Sequence, residues 1–244
     1  MNKPLKVVII GGVAGGMSAA TRLRRLNEHA QIIVFEMGEH VSYANCGLPY
    51  FVSNVISDRD DLLLQTPESL WARFRIDVRV KTMVTAIDRR SRIVTVKNLV
   101  SGEESTESYD KLVISTGAKP RKLSIPGIER ALTLRNVIDA DHVKAAVERA
   151  TLKTAAIIGA GFIGVELAEN LAHMGIATTL IHRGESILSM FDLEMIEPMQ
   201  EVLEQNGIRL VLGAQPVEVT ETEVVLESGE RVSAGLVFSA AGVV

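Results

Sequence analysis

Cys46 is the one cysteine in 244 residues, and it stands between two glycine-rich segments. Upstream lies Gly11-Gly12-Val13-Ala14-Gly15-Gly16, and downstream lies Gly159-Ala160-Gly161-Phe162-Ile163-Gly164. Glycines at this spacing let the backbone turn sharply and bring a diphosphate to a helix N-terminus. A thiol between two such segments suggests electron transfer from nicotinamide to flavin to sulfur. Most free cysteines are small buried apolar residues, but the neighbours of this one favour reactivity. Asn45 precedes it and Gly47-Leu48-Pro49 follow, which reads as a loop turning into a helix start. A thiol placed there faces the positive end of the helix dipole, which favours the thiolate.

The elements around the first glycine segment fit a dinucleotide fingerprint. Leu5-Lys6-Val7-Val8-Ile9-Ile10 is a short β-branched run, as a buried parallel strand requires. A helix follows with Met17, Ala20 and Leu23 on one face, and Gln31-Ile32-Ile33-Val34-Phe35 forms a second strand. Glu36 closes that strand 20 residues beyond Gly16, where an acid accepts hydrogen bonds from a ribose. The glycine register is imperfect, with Val13 in the middle position.

The second segment is a complete G-x-G-x-x-G, entered by Thr154-Ala155-Ala156-Ile157-Ile158 and followed by a helix and the strand at 177–181. The acid slot, 18 residues past Gly164, holds His182, with Arg183 next to it. An acid there selects the ribose 2′-hydroxyl, whereas a cation accepts a 2′-phosphate. Arg183 has the planar fork for that phosphate. NADPH is therefore expected over NADH, with NADH as the alternative.

Between the two, Thr66-Pro67-Glu68-Ser69 reads as an N-cap with proline at the first helical position. Residues 77–84 and 92–97 alternate as strands, and residues 136–150 are helical by period. The strand Lys111-Leu112-Val113-Ile114-Ser115 leads to Thr116-Gly117, where glycine permits a ligand's close approach or a turn. Residues 121–127 are rich in proline and basic residues and read as an interdomain connection.

Composition bounds the rest. Hydrophobic residues make up 47% and charged residues 23%, a globular balance sufficient for two domains. A net charge of −4 gives no electrostatic footprint for nucleic acid or an anionic membrane. A single cysteine excludes an internal disulfide and a cysteine-based zinc site, so no metal is expected, and it fits a reducing cytoplasm. Lys3 and Lys6 before an apolar run faintly suggest a signal peptide, but the glycines make it strand, turn and helix.

Four stretches together resemble a known family. They are the first glycine segment, Ser42-Tyr43-Ala44-Asn45-Cys46-Gly47-Leu48-Pro49-Tyr50, the run from Tyr109 to Ala118, and Gly159 to Glu166. They are similar to the single-cysteine branch of the FAD-dependent pyridine nucleotide–disulfide oxidoreductases, on the coenzyme A-disulfide reductase side. The resemblance implies an α/β fold with two Rossmann-like domains, each with a smaller antiparallel crossover. The FAD domain would cover residues 1–118 and the NAD(P) domain residues 119–244. Gly11, Gly12, Val13, Ala14, Gly15, Gly16 and Glu36 would hold FAD, with Thr116 and Gly117 near the flavin. Gly159, Gly161, Phe162, Ile163, Gly164 and Glu166, together with His182 and Arg183, would hold the nicotinamide nucleotide. Arg22, Arg25, Ser42 and Asn45 would contact coenzyme A.

The same resemblance implies a mechanism with Cys46 as the redox centre: hydride passes from NADPH to FAD, which then opens a Cys46–S–S–CoA mixed disulfide. Phe51 stands where two-cysteine members carry their partner thiol. The oxidase and peroxidase branch carries histidine at the position of Ala14, and cycles one cysteine through sulfenic acid. A non-catalytic nucleotide-binding thiol sensor is the alternative from another class. Family members continue past the Val244 position into a return to the FAD domain and a dimerisation domain. The chain is thus expected to be an N-terminal part of a cytoplasmic, homodimeric enzyme with a small-molecule substrate, CoA disulfide or else CoA persulfide or polysulfide.

Overall fold

The computed structural model describes residues 3–244, so Met1 and Asn2, at the start of the expected first domain, lie outside the described residues. Along the chain come β1 (Lys6–Ile10), α1 (Ala14–Leu26), β2 (Gln31–Phe35), α2 (Leu48–Val52), α3 (Pro67–Phe74), β3 (Ile76–Arg79), β4 (Thr82–Asp88), β5 (Ile93–Asn98), β6 (Glu104–Ser108) and β7 (Lys111–Ile114). They are followed by α4 (Val137–Arg149), β8 (Thr154–Ile158), α5 (Phe162–His173), β9 (Ala177–Ile181), α6 (Leu193–Gln205), β10 (Arg209–Val211), β11 (Pro216–Val219), β12 (Glu223–Leu226), β13 (Arg231–Ser233) and β14 (Leu236–Ser239). The chain divides into two compact units. One runs to Ala44 and resumes over Asp60–Gly117; the other comprises Asn45–Arg59 and Ala118–Val244.

The first unit is built on a parallel sheet in the order β3-β2-β1-β7. Its central strands each hold a run of β-branched residues, 7–10 and 32–34, because both faces are covered, and Val8, Ile9, Ile33 and Val34 are fully buried. On one face α1 packs Met17 and Ala20, joined by Leu70 of α3. The other face meets the antiparallel sheet β4-β5-β6 through Val94, Val96 and Phe35. The start of α3 is a reciprocal cap: Ser69 N donates to Thr66 Oγ1 at 3.2 Å, and Thr66 N to Ser69 Oγ at 2.9 Å.

The alternating run at 77–84 is not one strand. Lys81 adopts φ 50° and turns the chain, so β3 joins the parallel sheet and β4 begins the antiparallel one. Side-chain alternation is blind to a left-handed hinge between two strands.

The second unit repeats this plan. Its parallel sheet runs β10-β9-β8-β14, and its three-stranded antiparallel sheet runs β11-β12-β13. Ala156, Ile158, Val224, Leu226 and Val232 share one core between the two sheets. Leu123 and Ile125 pack against that core, so residues 121–127 belong to the second unit and are not a free connection. Asn136 caps α4 by accepting Asp139 N at 2.8 Å on its Oδ1. Among the described residues, no helix is long and apolar enough to cross a membrane.

Candidate functional site

In the first unit the glycine loop is shaped by its neighbours. Gly11 N donates to Phe35 O and Ser115 N to Ile10 O, both at 2.8 Å, which stitches the loop across β1, β2 and the end of β7. Gly11 has φ 103°, and a Cβ there would collide with the Ser115 carbonyl. A Cβ on Gly16 would strike the Gly11 carbonyl instead, which is why the loop can fold back onto α1. Glu36 sits at the loop's edge, where Oε2 accepts Gly12 N and Oε1 accepts Gly38 N, each at 2.7 Å. Ser42 N donates to Gly12 O at 2.9 Å, from a left-handed φ of 47°. Thr116 and Gly117 follow β7 and are exposed. Val13 is the N-cap of α1 and gives no side-chain cap, and the first turn holds no acid. The first backbone N–H groups of the helix are therefore left for an outside acceptor.

The second unit places the same bonds at the corresponding positions. Gly159 N donates to Ile181 O and Ala240 N to Ile158 O, both at 2.8 Å, and Leu188 N reaches Ala160 O at 2.8 Å. Gly159 has φ 112° against the Ala240 carbonyl, and Leu188 has φ 45°, as Ser42 does in the first unit. Where Glu36 holds Gly12, His182 Nδ1 accepts Ala160 N at 3.3 Å. Burial, and then the Arg183 charge, hold this imidazole below its usual pKa, so it stands neutral as an acceptor. Arg183 is exposed beside it. Gly161 caps α5 without a side-chain bond, and the space around a Cβ built there is open to 4 Å. That opening next to an uncapped helix start suits a diphosphate, and the first loop offers a likewise uncapped helix start. Phe162 and Ile163 are exposed in the first turn of α5, and Phe162 meets Phe191 edge-on at 5.9 Å.

Cys46 lies in a 3-10 turn, Asn45–Gly47, that leads directly into α2, and both Asn45 and Cys46 are exposed. The expected helix start is present but short, five residues with Pro49 near its beginning. Its far side is buried through Leu48, Phe51 and Val52. This segment belongs to the second unit, and its groups meet α5. The Tyr50 phenol is pushed up by Glu169 first, then by burial, Glu166 and Cys46. Glu166 is itself raised, by burial and then by Glu169. Tyr50 of α2 thus feels the carboxylates of Glu166 and Glu169 on α5, the helix against which α2 packs.

Arg22 and Arg25 lie exposed on α1. Arg24 between them is structural, donating to the carbonyls of Phe74, Glu28 and Arg75 at 2.7, 2.6 and 3.0 Å. The structure brings Gly11, Gly12, Gly16, Glu36 and Ser42 together in the first unit, and Gly159, Gly164 and His182 together in the second. Sequence reasoning passes over Ser115, Tyr50, Glu169 and Asn170. Only Asn170 leaves a trace, as a polar residue within an apolar helix face.

The chain is similar to known proteins along most of its length. Residues 5–244 match the family described as pyridine nucleotide-disulphide oxidoreductase. A coenzyme A disulfide reductase of Staphylococcus aureus is 36% identical over 225 residues, covering 92% of this chain and 51% of that protein. The chain therefore spans about half the length of this curated relative. The reduced CoADR-RHD of Bacillus anthracis superposes with a TM-score of 0.95 at 42% identity, over 99% of this chain and 44% of that one. An NAD-dependent persulfide reductase from A. fulgidus gives 0.92 at 32% identity, over 98% and 46%. With two Rossmann-like units, each holding a dinucleotide loop, the chain belongs to the pyridine nucleotide-disulphide oxidoreductase family.

Proposed function

We propose that this chain carries the FAD site, the NADPH site and the redox cysteine of an oxidoreductase that reduces CoA disulfides. The observation that carries the reading is an exposed lone thiol in a protein with two matching dinucleotide loops. The first unit would hold FAD, with its diphosphate at the start of α1, its ribose at Glu36, and Thr116 and Gly117 near the ring. The second unit would hold NADPH, with the diphosphate beside Gly161 and Arg183 on the 2′-phosphate. Bound FAD would supply the conversion of a hydride into an electron pair delivered to sulfur.

The chain's own chemistry is thiol exchange. The Cys46 thiolate attacks one sulfur of a CoA disulfide; a Cys46–S–S–CoA bond forms and one CoA thiolate leaves. Two electrons originating in NADPH, with a proton, restore the thiolate and release the second CoA as thiol. A single cysteine suffices because the partner sulfur belongs to CoA. The exposed Arg22 and Arg25, with Ser42 and Asn45, are proposed to bind CoA, the arginines through its phosphates.

A second substrate, CoA persulfide, is favoured by the persulfide reductase likeness at 32% identity. The test is NADPH oxidation by the FAD-loaded protein with CoA disulfide, with CoA persulfide, and with air alone. Turnover that requires a CoA acceptor and disappears in Cys46→Ser supports the reading. Equal consumption with air alone replaces it with an oxidase that cycles sulfenic acid. One reaction per thiol without cycling points to a sensor.

A further inference from the structure

Asn170 is 3% exposed and Ser53 is 8% exposed, a polar pair within a helix interface. Ser53 Oγ donates to Asn170 Oδ1 at 2.5 Å, and Asn170 Nδ2 donates to Glu166 O at 2.7 Å. The two helices that carry the pair also bury Leu48 and Val52 on α2 and Leu167 and Leu171 on α5. Each group also has a partner within its own helix, Tyr50 O at 3.1 Å from Ser53 Oγ and Glu166 O for Asn170, so the Ser53–Asn170 bond is the one that joins the two elements. Ser53 is the C-cap of α2, and the turn bearing Cys46 is at that helix's other end. Cys46 is exposed, so its own side chain is not fixed by packing. The position of its sulfur depends on what anchors the short helix behind it.

We propose that Asn170 is a positioning residue for Cys46, acting through Ser53 to fix the helix that presents the thiol. Asn170 lies about two turns along the helix that starts at the second glycine loop. The thiol and the nucleotide loop thereby share one rigid element. Two further contacts hold the same segment: Arg59 pairs with Asp141 through bonds of 2.9 to 3.0 Å, and Lys144 Nζ lies 4.0 Å over the Phe51 ring. Those contacts run through Arg59 and Phe51, whereas the Ser53–Asn170 bond ties the C-cap of α2 to α5. The proposal rests on the reading of Cys46 as the reactive thiol.

The experiment compares the rate of Cys46 alkylation by iodoacetamide in wild-type protein, Ser53→Ala, Asn170→Ala, the double variant and Ser53→Thr. Rates are taken from pH 6 to 9, well below each variant's melting midpoint. Each single alanine variant is expected to shift the alkylation rate at fixed pH about threefold or more, because the turn bearing the thiol moves with the helix and the thiolate fraction follows its surroundings. The Ser53–Asn170 bond is lost in all three, so the double variant is expected to fall well short of the product of the singles, even though Asn170→Ala also removes the bond to Glu166 O and Ser53→Ala the contact with Tyr50 O. Ser53→Thr keeps the hydroxyl and is expected to restore the wild-type rate. Variants with lower melting midpoints but wild-type alkylation profiles would overturn the proposal and leave the pair a purely structural tie. Effects that multiply in the double variant would overturn it as well. Alkylation needs neither FAD nor nucleotide, so failure of NADPH turnover in the wild type would sink the proposed function separately.

Discussion

His182 Nδ1 accepts the backbone N–H of Ala160 at 3.3 Å, in the place where Glu36 Oε2 accepts Gly12 N at 2.7 Å in the first unit. The spacing that marks His182 as a nucleotide residue also makes it the latch of its own loop. A neutral imidazole can be this acceptor; an imidazolium cannot. Its folded-state pKa is depressed, by burial first and the Arg183 charge second. The unfolded state therefore binds the proton more tightly. The contribution to stability is fully present above the ordinary histidine pKa of about 6.5, and is lost as pH falls from there through the folded value. Urea midpoints at pH 8 and pH 5.5 should differ more in wild type than in His182→Gln, whose amide oxygen accepts at any pH. Equal pH dependence in both would remove His182 from the latch.

With His182 turned to the loop, the proposed recognition of a 2′-phosphate rests on Arg183. Arg183→Ala is expected to weaken NADPH binding about tenfold, about 1.4 kcal/mol, and to leave NADH nearly unchanged. Fluorescence titration with both nucleotides reads this directly. A parallel loss for both would mean that Arg183 acts on the shared diphosphate or on the fold.

Two glycines of one loop should separate folding from binding. At Gly159, φ is 112° and a Cβ would meet the Ala240 carbonyl, so Gly159→Ala is expected to cost about 3 kcal/mol or more. At Gly161, φ is −80° and the space is open, so Gly161→Ala should stay within about 0.5 kcal/mol of wild type in stability. The added methyl would stand where a diphosphate approaches, and NADPH affinity should fall about tenfold or more. Paired melting and titration curves check both halves. An unaffected affinity in Gly161→Ala would place the diphosphate elsewhere.

Local features were legible because local physics sets them. The loops at Gly11 and Gly159 follow from glycine spacing after a β-branched strand, and the cap at Thr66 from a side chain three residues from its bond. Glu36 and His182 were found by spacing, yet their roles as loop acceptors depend on where a strand ends in three dimensions. The tie between Ser53 and Asn170 spans 117 residues and leaves no pattern to read. The same holds for the attachment of Asn45–Arg59 to the second unit, which rests on a buried helix face and the Arg59–Asp141 pair. Lys81 was hidden because a left-handed residue has no sequence mark when it is not glycine.

Glu166 offers a last test, since its charge is unfavourable where it stands. Burial raises its pKa first, and Glu169 one turn away adds repulsion. A raised carboxyl pKa means that the folded state binds the proton more tightly than the unfolded one. The associated stability is present below the ordinary glutamate pKa of about 4.3, and is lost as pH rises through the folded value. The group is largely solvent-screened, so the effect at neutral pH is a few tenths of a kcal/mol. Glu166→Gln should therefore raise Tm at pH 7 by about 1 °C. The gain should vanish below about pH 4, where wild-type Glu166 is already protonated. Tyr50 titration gives an independent reading, because Glu166 is one of the charges that raise the phenol. Its absorbance midpoint should move down in Glu166→Gln, and further in Glu169→Gln, since Glu169 is the larger cause. A phenol midpoint unmoved by either substitution would separate Tyr50 from the two carboxylates.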